Sequence, residues 1–392
     1  MSTFDLRVLP RQASHGTIRA AAELRSPSRG TSEVWFEVDE AHASALVDRA
    51  DPFVLAALIP AMDEGCDLRI EGAPVSTSLL RNLAEFQQIW KAWFDFAVVD
   101  LLTDDECDTI APDGGAVVAF SGGADSSFTA YTRITHASHR DVPLRAGMMF
   151  HGMDIPLSDT AGFTGARERA TRMTDSLGLE LISVRTNAWD AMPRPAMHFS
   201  ALGVAAGLHL LGGRFGTGLI PSTASYAQLL FPVDSTPLSD WLLRSNAFEI
   251  VHHGAAFDRL EKLRALTEWD EALANLRVCL VDPAHDRNCG RCRKCLVTYL
   301  GFRVLGVEPR CFDPAPSPDI ISEWAGRFTS HRLFVAEMRA VVNEADRRGF
   351  DEPWVRAAKR RLRVIRTRRA MTTVSPELSR RAAALAWKVS RR

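Results

Sequence analysis

The chain has 392 residues, 46% hydrophobic and 24% charged, with a formal net charge of −1, the balance of an ordinary globular protein long enough for two or three structural units. No apolar run approaches the roughly 20 residues that span a bilayer, and the start, Met1-Ser2-Thr3-Phe4-Asp5-Leu6-Arg7, lacks the basic-then-apolar order of a secretion signal; no membrane span and a cytoplasmic location are expected. Seven cysteines, four of them crowded between Cys279 and Cys295, point to a metal site rather than a disulfide framework.

Strands are predicted at residues 6–9, 17–24 and 34–38, followed by an apolar helix from Pro52 through Met62 and a strand at 66–71. Ser76 or Ser78 caps a helix carrying Leu79, Leu83, Phe86, Ile89 or Trp90, and Trp93 on one face, a stripe that reads as core. Pro112-Asp113-Gly114-Gly115 marks a turn. It closes a smaller N-terminal α/β domain, residues 1–112.

From Ala116 the pattern alternates strand and helix, with strands at 117–120, 144–150, 181–185, 215–220 and 248–254 and helices at 163–177 and 199–211. This is the grammar of a parallel sheet covered on both faces. Ligands of such sheets collect beyond the carboxyl ends of the strands, which makes His151, Asp154, Asn187, Ser222 and Thr223 candidates for nucleotide or substrate contacts.

Strand 117–120 runs into Ser121-Gly122-Gly123-Ala124-Asp125-Ser126-Ser127 and then a helix start. Two glycines let successive backbone N–H groups point at one anion, and the helix adds its positive end. Ser121, Ser126 and Ser127 offer hydroxyl donors, and Asp125 a carboxylate for the magnesium ion that accompanies a nucleotide. The segment lacks the Gly-Lys-Ser/Thr ending of a Walker loop and the third glycine of the dinucleotide fingerprint. Arg259 and Lys262, three apart on a predicted helix, supply positive charge that the loop lacks, closing over a triphosphate or departing pyrophosphate.

Cys279, Cys289, Cys292 and Cys295 form a Cys-x9-Cys-x2-Cys-x2-Cys series in which Gly290 permits a tight turn. Four thiolates at such spacings close a tetrahedral shell suited to zinc. Arg287, Arg291, Arg293 and Lys294 would offset their charge, and His285 is a fifth candidate ligand.

The loop, at Ser121, Gly122, Gly123, Asp125 and Ser126, resembles the Ser-Gly-Gly-x-Asp-Ser signature of the N-type ATP pyrophosphatases, or PP-loop enzymes. Joined to the late cysteine series, it resembles 7-cyano-7-deazaguanine synthase and its relatives over residues 116–306. The resemblance implies a doubly wound parallel sheet of the adenine nucleotide α-hydrolase type in residues 113–310. It also implies structural zinc on Cys279, Cys289, Cys292 and Cys295, and ATP with magnesium on Ser121, Gly122, Gly123, Asp125, Ser126, Ser127 and Asp154. The chemistry implied is attack of a small-molecule or peptide carboxylate on the α-phosphate, loss of pyrophosphate, and capture of the acyl-adenylate by ammonia or an amine to give an amide or nitrile. Ser121, Asp125, Ser126, Arg259 and Lys262 would be the catalytic groups. Ala124 departs from the usual pattern, residues 1–112 and 311–392 have no counterpart in the synthase, and the nucleobase substrate is not carried over.

Position two holds Ser2 instead of the nucleophilic cysteine of a glutaminase of the asparagine synthetase type, so ammonia is expected to come free. From Val355 onward thirteen Lys or Arg residues accompany the single acid Glu377, making residues 311–392 a helical extension with a basic tail suited to tRNA or to the acidic body of the same protein. That tail supports an alternative, thiolation of tRNA through an adenylated base carbonyl. A third reading is ATP binding without turnover. The oligomeric state, a homodimer included, is left open.

Overall fold

The computed structural model describes residues 2–107, 110–112, 114–136, 141–191, 200–229 and 232–371. The first stretch holds β1 (Thr3–Val8), β2 (Gln12–Ser14), β3 (Thr17–Ser26), β4 (Gly30–Asp39), α1 (Asp51–Glu64), β5 (Asp67–Glu71), β6 (Val75–Ser76), α2 (Thr77–Phe94), β7 (Leu101–Thr103) and β8 (Glu106–Cys107). Then come β9 (Ala116–Ala119), α3 (Ala124–Thr135), β10 (Leu144–His151), α4 (Thr160–Ser176), β11 (Glu180–Thr186), α5 (Ala188–Ala191), α6 (Ser200–Leu210), β12 (Thr217–Pro221) and β13 (Glu249–His253). The chain continues through α7 (Arg259–Leu266), α8 (Asp270–Asn275), α9 (Arg293–Val304), α10 (Pro318–Arg327), α11 (Arg332–Arg347) and α12 (Pro353–Met371). The basic tail beyond 371, with Glu377 and Trp387, lies outside the described residues.

The fold is α/β, built on one mixed, mostly parallel sheet in the order β13-β12-β9-β10-β11-β4-β3-β1-β5-β7, with β2 paired to β3. The expected parallel series is present from β13 to β11. Beyond it β4, β3 and β1 pair antiparallel, a departure from a wholly parallel sheet. The cause is local: only Pro27, Ser28 and Arg29 separate β3 from β4, too few for the crossover that parallel neighbours require.

Side-chain alternation along the central strands divides the core. Val117, Met148 and Phe150 face a cluster that includes α1, α2 and α6, whereas Val118 and Met149 face one that includes α3, α4, α7, α9 and α11. Helix α1 is buried continuously from Asp51 through Met62, which is why its sequence shows an apolar run in place of a one-sided stripe. On α2 the expected stripe is buried at Leu79, Leu83, Phe86 and Trp90, with Trp93 only half-buried.

The strands of the first 107 residues join the rest through one seam, β4 against β11. Asn187, expected near ligand, belongs to this seam: its side chain accepts from Trp35 N at 2.9 Å and donates to Glu33 O at 2.8 Å. Beside it Glu37 is bound by Arg19 and Arg185. Replacing Asn187 by Ala leaves the part-buried Trp35 N–H without its partner and is expected to cost roughly 1 kcal/mol. Urea unfolding tests this; an unchanged midpoint would contradict the seam's importance.

Candidate functional site

From β9 the chain steps outward through β10 and β11, then returns to place β12 and β13 on the other side of β9. The order therefore reverses between β9 and β12, and at such a switch point the connections leave in opposite directions and open a crevice at the strands' carboxyl ends. Ser121–Gly123 leaves β9 at this crevice and Ser222–Thr223 leaves β12 beside it.

The turn is braced by its own hydroxyls. Ser126 Oγ donates to Gly123 O at 3.1 Å and accepts from Ser121 N at 3.3 Å, and Gly123 N donates to Ser121 Oγ at 3.3 Å. Gly122 has φ +72°, the left-handed conformation that the sequence reserves for glycine here. Its carbonyl accepts from Arg277 N at 2.9 Å, fastening the turn to the segment that precedes Cys279. Ser127 is fully buried behind the turn and does not line the cavities.

Two cavities flank the turn and share Ser121, Asp125, Ser126, Asp154, Thr223, Arg277 and Lys294. One, of about 250 Å³, is further lined by Arg259, Arg293, Phe334 and Glu337. The other, of about 280 Å³, is walled by Phe120, Met148–Phe150, Met153, Trp189, Val204 and Ile220. A charged chamber and an apolar one thus meet over the loop.

Asp125 anchors the charged side. Its Oδ2 lies 3.0 Å from Arg259 Nη2 and its Oδ1 3.0 Å from Lys262 Nζ; Lys262 also donates to Ser222 O. Both cations turn inward to this carboxylate, while Glu261, their neighbour in sequence, is occupied by the α7 capping box with Asp258. Burial would raise the Asp125 carboxyl, but Arg259 and Lys262 outweigh it and hold the group below the usual carboxylate range. Burial draws the Lys262 ammonium down, opposed by Asp125.

Four charged residues here went unassigned to the site from sequence: Arg277, Arg293, Lys294 and Glu337. Arg277, buried, holds Asp154 Oδ2 at 2.5 Å. Lys294 faces the cavity although its position among the cysteines suggested a counter-charge to thiolates; burial and Arg259 draw its ammonium below the ordinary value. Glu337, 4% exposed, arrives from α11 with Oε1 3.4 Å from Arg259 Nε. For Arg277 and Glu337 the only sequence signal was an isolated charge in apolar surroundings, Arg277 between Leu276 and Val278 and Glu337 between Ala336 and Met338.

Other candidates lie elsewhere. His151 stacks on Phe163, with ring centroids 4.3 Å apart, and its Nε2 meets Pro156 O at 3.0 Å; it does not line the cavities at the loop. Ser222 takes part through its carbonyl, its hydroxyl donating to Ala224 O at 2.6 Å, whereas Thr223 lines both cavities.

Behind Lys294 the ligand atoms of Cys279, Cys289, Cys292 and Cys295 lie within 4.8 Å of one another, with Cys279–Cys292 at 3.8 Å and Cys289–Cys295 at 3.9 Å. A tetrahedral site with metal–sulfur bonds of about 2.3 Å has sulfurs about 3.8 Å apart, so the donor set fits one metal ion. Gly290, at φ +65°, makes the turn between Cys289 and Cys292. Cys292 caps α9, its Sγ accepting from Cys295 N at 3.5 Å, and Cys292 N donates to Cys289 Sγ at 3.3 Å. Asn288 collects Val278 N and Cys279 N on its Oδ1, at 2.9 and 3.2 Å, and donates to Leu276 O and Cys311 O. His285 is not in the cluster, its Nδ1 lying 2.7 Å from Asp159 Oδ2.

Compared with known proteins, the chain matches no family model, no curated protein and no solved structure.

Changing Asp125 to Asn removes the carboxylate shared by two buried cations, and breaking such a pair costs about 3–5 kcal/mol. Because the Asp125 carboxyl is depressed in the folded protein, its stabilisation is present above the ordinary carboxylate pKa and lost as pH falls through the folded value. Urea titrations should therefore show a wide gap between wild type and Asp125→Asn at pH 7 that narrows as pH falls below the ordinary carboxylate range. A gap that widens on acidification would refute the assignment.

Proposed function

We propose that this protein is an ATP pyrophosphatase of the PP-loop type with a doubly wound core, which activates a carboxylate as its acyl-adenylate and passes the acyl group to ammonia or another amine. The observation that carries the reading is the Ser121–Ser126 turn at the sheet's switch point, opening onto a cavity where Arg259, Arg277, Arg293 and Lys294 converge. Backbone N–H groups and the start of α3 suit a phosphate group. The charge pattern suits attack at the α-phosphorus, where negative charge accumulates on the departing pyrophosphate.

In this account Ser121 and Ser126 position the α-phosphate, the apolar chamber receives the nucleoside, and Arg259 and Lys294 face the pyrophosphate side. Asp125 holds Arg259 and Lys262 in place. Magnesium arriving with ATP would be held at Asp125 and Asp154, which it would share with Arg259, Lys262 and Arg277.

Zinc is the metal proposed for the four cysteines, since four thiolates at tetrahedral spacing are its usual structural shell. Bound there it would lock Cys279 to the head of α9, fixing Arg277, two residues before Cys279, and Lys294, two residues after Cys292, against the loop. Metal analysis should find one zinc per chain, lost together with thermal stability in Cys292→Ser; iron in place of zinc would overturn this part.

Carboxylate-dependent exchange of labelled pyrophosphate into ATP tests the enzyme assignment. Wild type should catalyse it, and Lys294→Met should lower it by about 100-fold, the usual effect of removing one transition-state charge donor. Formation of ADP and phosphate in place of AMP and pyrophosphate would sink the reading.

A further inference from the structure

The charged chamber contains a carboxylate that the adenylation step does not use. Asp125 spends both oxygens on Arg259 and Lys262, and Asp154 is bound by Arg277. Glu337 is held more loosely than either: its Oε1 makes one long contact with Arg259, at 3.4 Å, against 2.5 Å from Asp154 Oδ2 to Arg277 and 3.0 Å from Asp125 to each of its cations. It lines the same cavity as Ser121, Asp125 and Lys294 although α11 lies outside the stretch that resembles the synthase.

We infer that Glu337 is the general base of the second half-reaction, recruiting the amine as its ammonium form and taking a proton from it beside the acyl-adenylate. The inference rests on the adenylation reading and adds a residue and an order of events to it.

Of the three carboxylates that line the chamber with Arg259, Arg277, Arg293 and Lys294, Asp125 and Asp154 are closely paired with cations, which leaves Glu337 to receive a cationic nucleophile. Glu337 does so once the phosphates of ATP have drawn Arg259 away, because one guanidinium cannot neutralise both fully. The charged groups facing Glu337 are Arg259 from α7, Asp125 from α3 and Lys294 from α9; α12 meets α11 through apolar side chains such as Val355 and Ala358 and through Lys359, which pairs with Asp346. Burial pushes the Glu337 carboxyl up, only partly opposed by Arg259, which brings a carboxylate nearer the strength a base needs at neutral pH.

Glu337 accepts one proton from the ammonium nitrogen, and the lone pair so freed forms the bond to the acyl carbon. The bond from that carbon to the AMP oxygen breaks, its electron pair leaving on AMP, and the second nitrogen proton passes to water. Nothing is oxidised or reduced.

The test compares wild type and Glu337→Gln on ATP and a mixed pool of heteroaromatic, aliphatic and amino-acid carboxylates. Three readouts are taken: pyrophosphate exchange, hydroxamate formation with hydroxylamine, and product formation with ammonium. Hydroxylamine is largely unprotonated at pH 7 and needs no base. Glu337→Gln is expected to keep exchange and hydroxamate formation within about threefold while losing ammonium transfer by about 100-fold. The lost rate should climb about tenfold per pH unit as free ammonia replaces ammonium. Equal losses in all three readouts would make Glu337 a partner that merely positions Arg259, and an unchanged ammonium rate would remove it from the reaction. Exchange absent from wild type would overturn the adenylation reading, and the role of Glu337 with it.

Discussion

The site depends on one carboxylate held between two cations. Asp125 stands at the start of α3, where it meets Arg259 and Lys262 from α7, each at 3.0 Å. Removing water from three charges is costly, and only close mutual pairing offsets it. The consequence is positional: α7 is tied to the loop after β9, Lys262 reaches on to the carbonyl of Ser222 after β12, and Arg259 reaches Glu337 on α11. Two strand ends and two helices are thus set around one crevice by a single charge cluster.

A second constraint acts from the opposite wall. The four cysteines gather the chain between Cys279 and α9, and this wall carries Arg277 and Lys294. The hydrogen bond from Arg277 N to Gly122 O connects the wall to the phosphate-type turn directly. A metal ion in the cysteine cluster would therefore influence the turn through backbone geometry without touching a ligand in the cavity. This relation gives the two motifs, which begin at Ser121 and Cys279, a physical reason to occur together.

Much of this was legible in the sequence, because strand–turn–helix grammar and cysteine spacing are local signals. The glycine turn, the four-cysteine cluster and the order of strands and helices from Ala116 are present in the chain as read. Arg259 and Lys262 were legible as an inward pair only in part: their spacing put them on one face, but only the tertiary pairing with Asp125 turns that face inward. Glu337 and Arg277 were not legible as site residues, since an isolated charge in an apolar stretch has no periodicity or motif to mark it. His151 and Asn187 misled for the converse reason. A polar residue at a strand end satisfies a carbonyl or a neighbouring strand as readily as a ligand, and only tertiary pairing, here with Pro156 and with β4, distinguishes the two.

The proposed chemistry turns on which phosphorus is attacked. A carboxylate labelled with oxygen-18, incubated with ATP, ammonium and the protein, decides it by mass spectrometry of the phosphorus products. Attack at the α-phosphorus places one labelled oxygen in AMP and leaves pyrophosphate unlabelled. Label in inorganic phosphate, with ADP as the other product, would contradict the account at its centre.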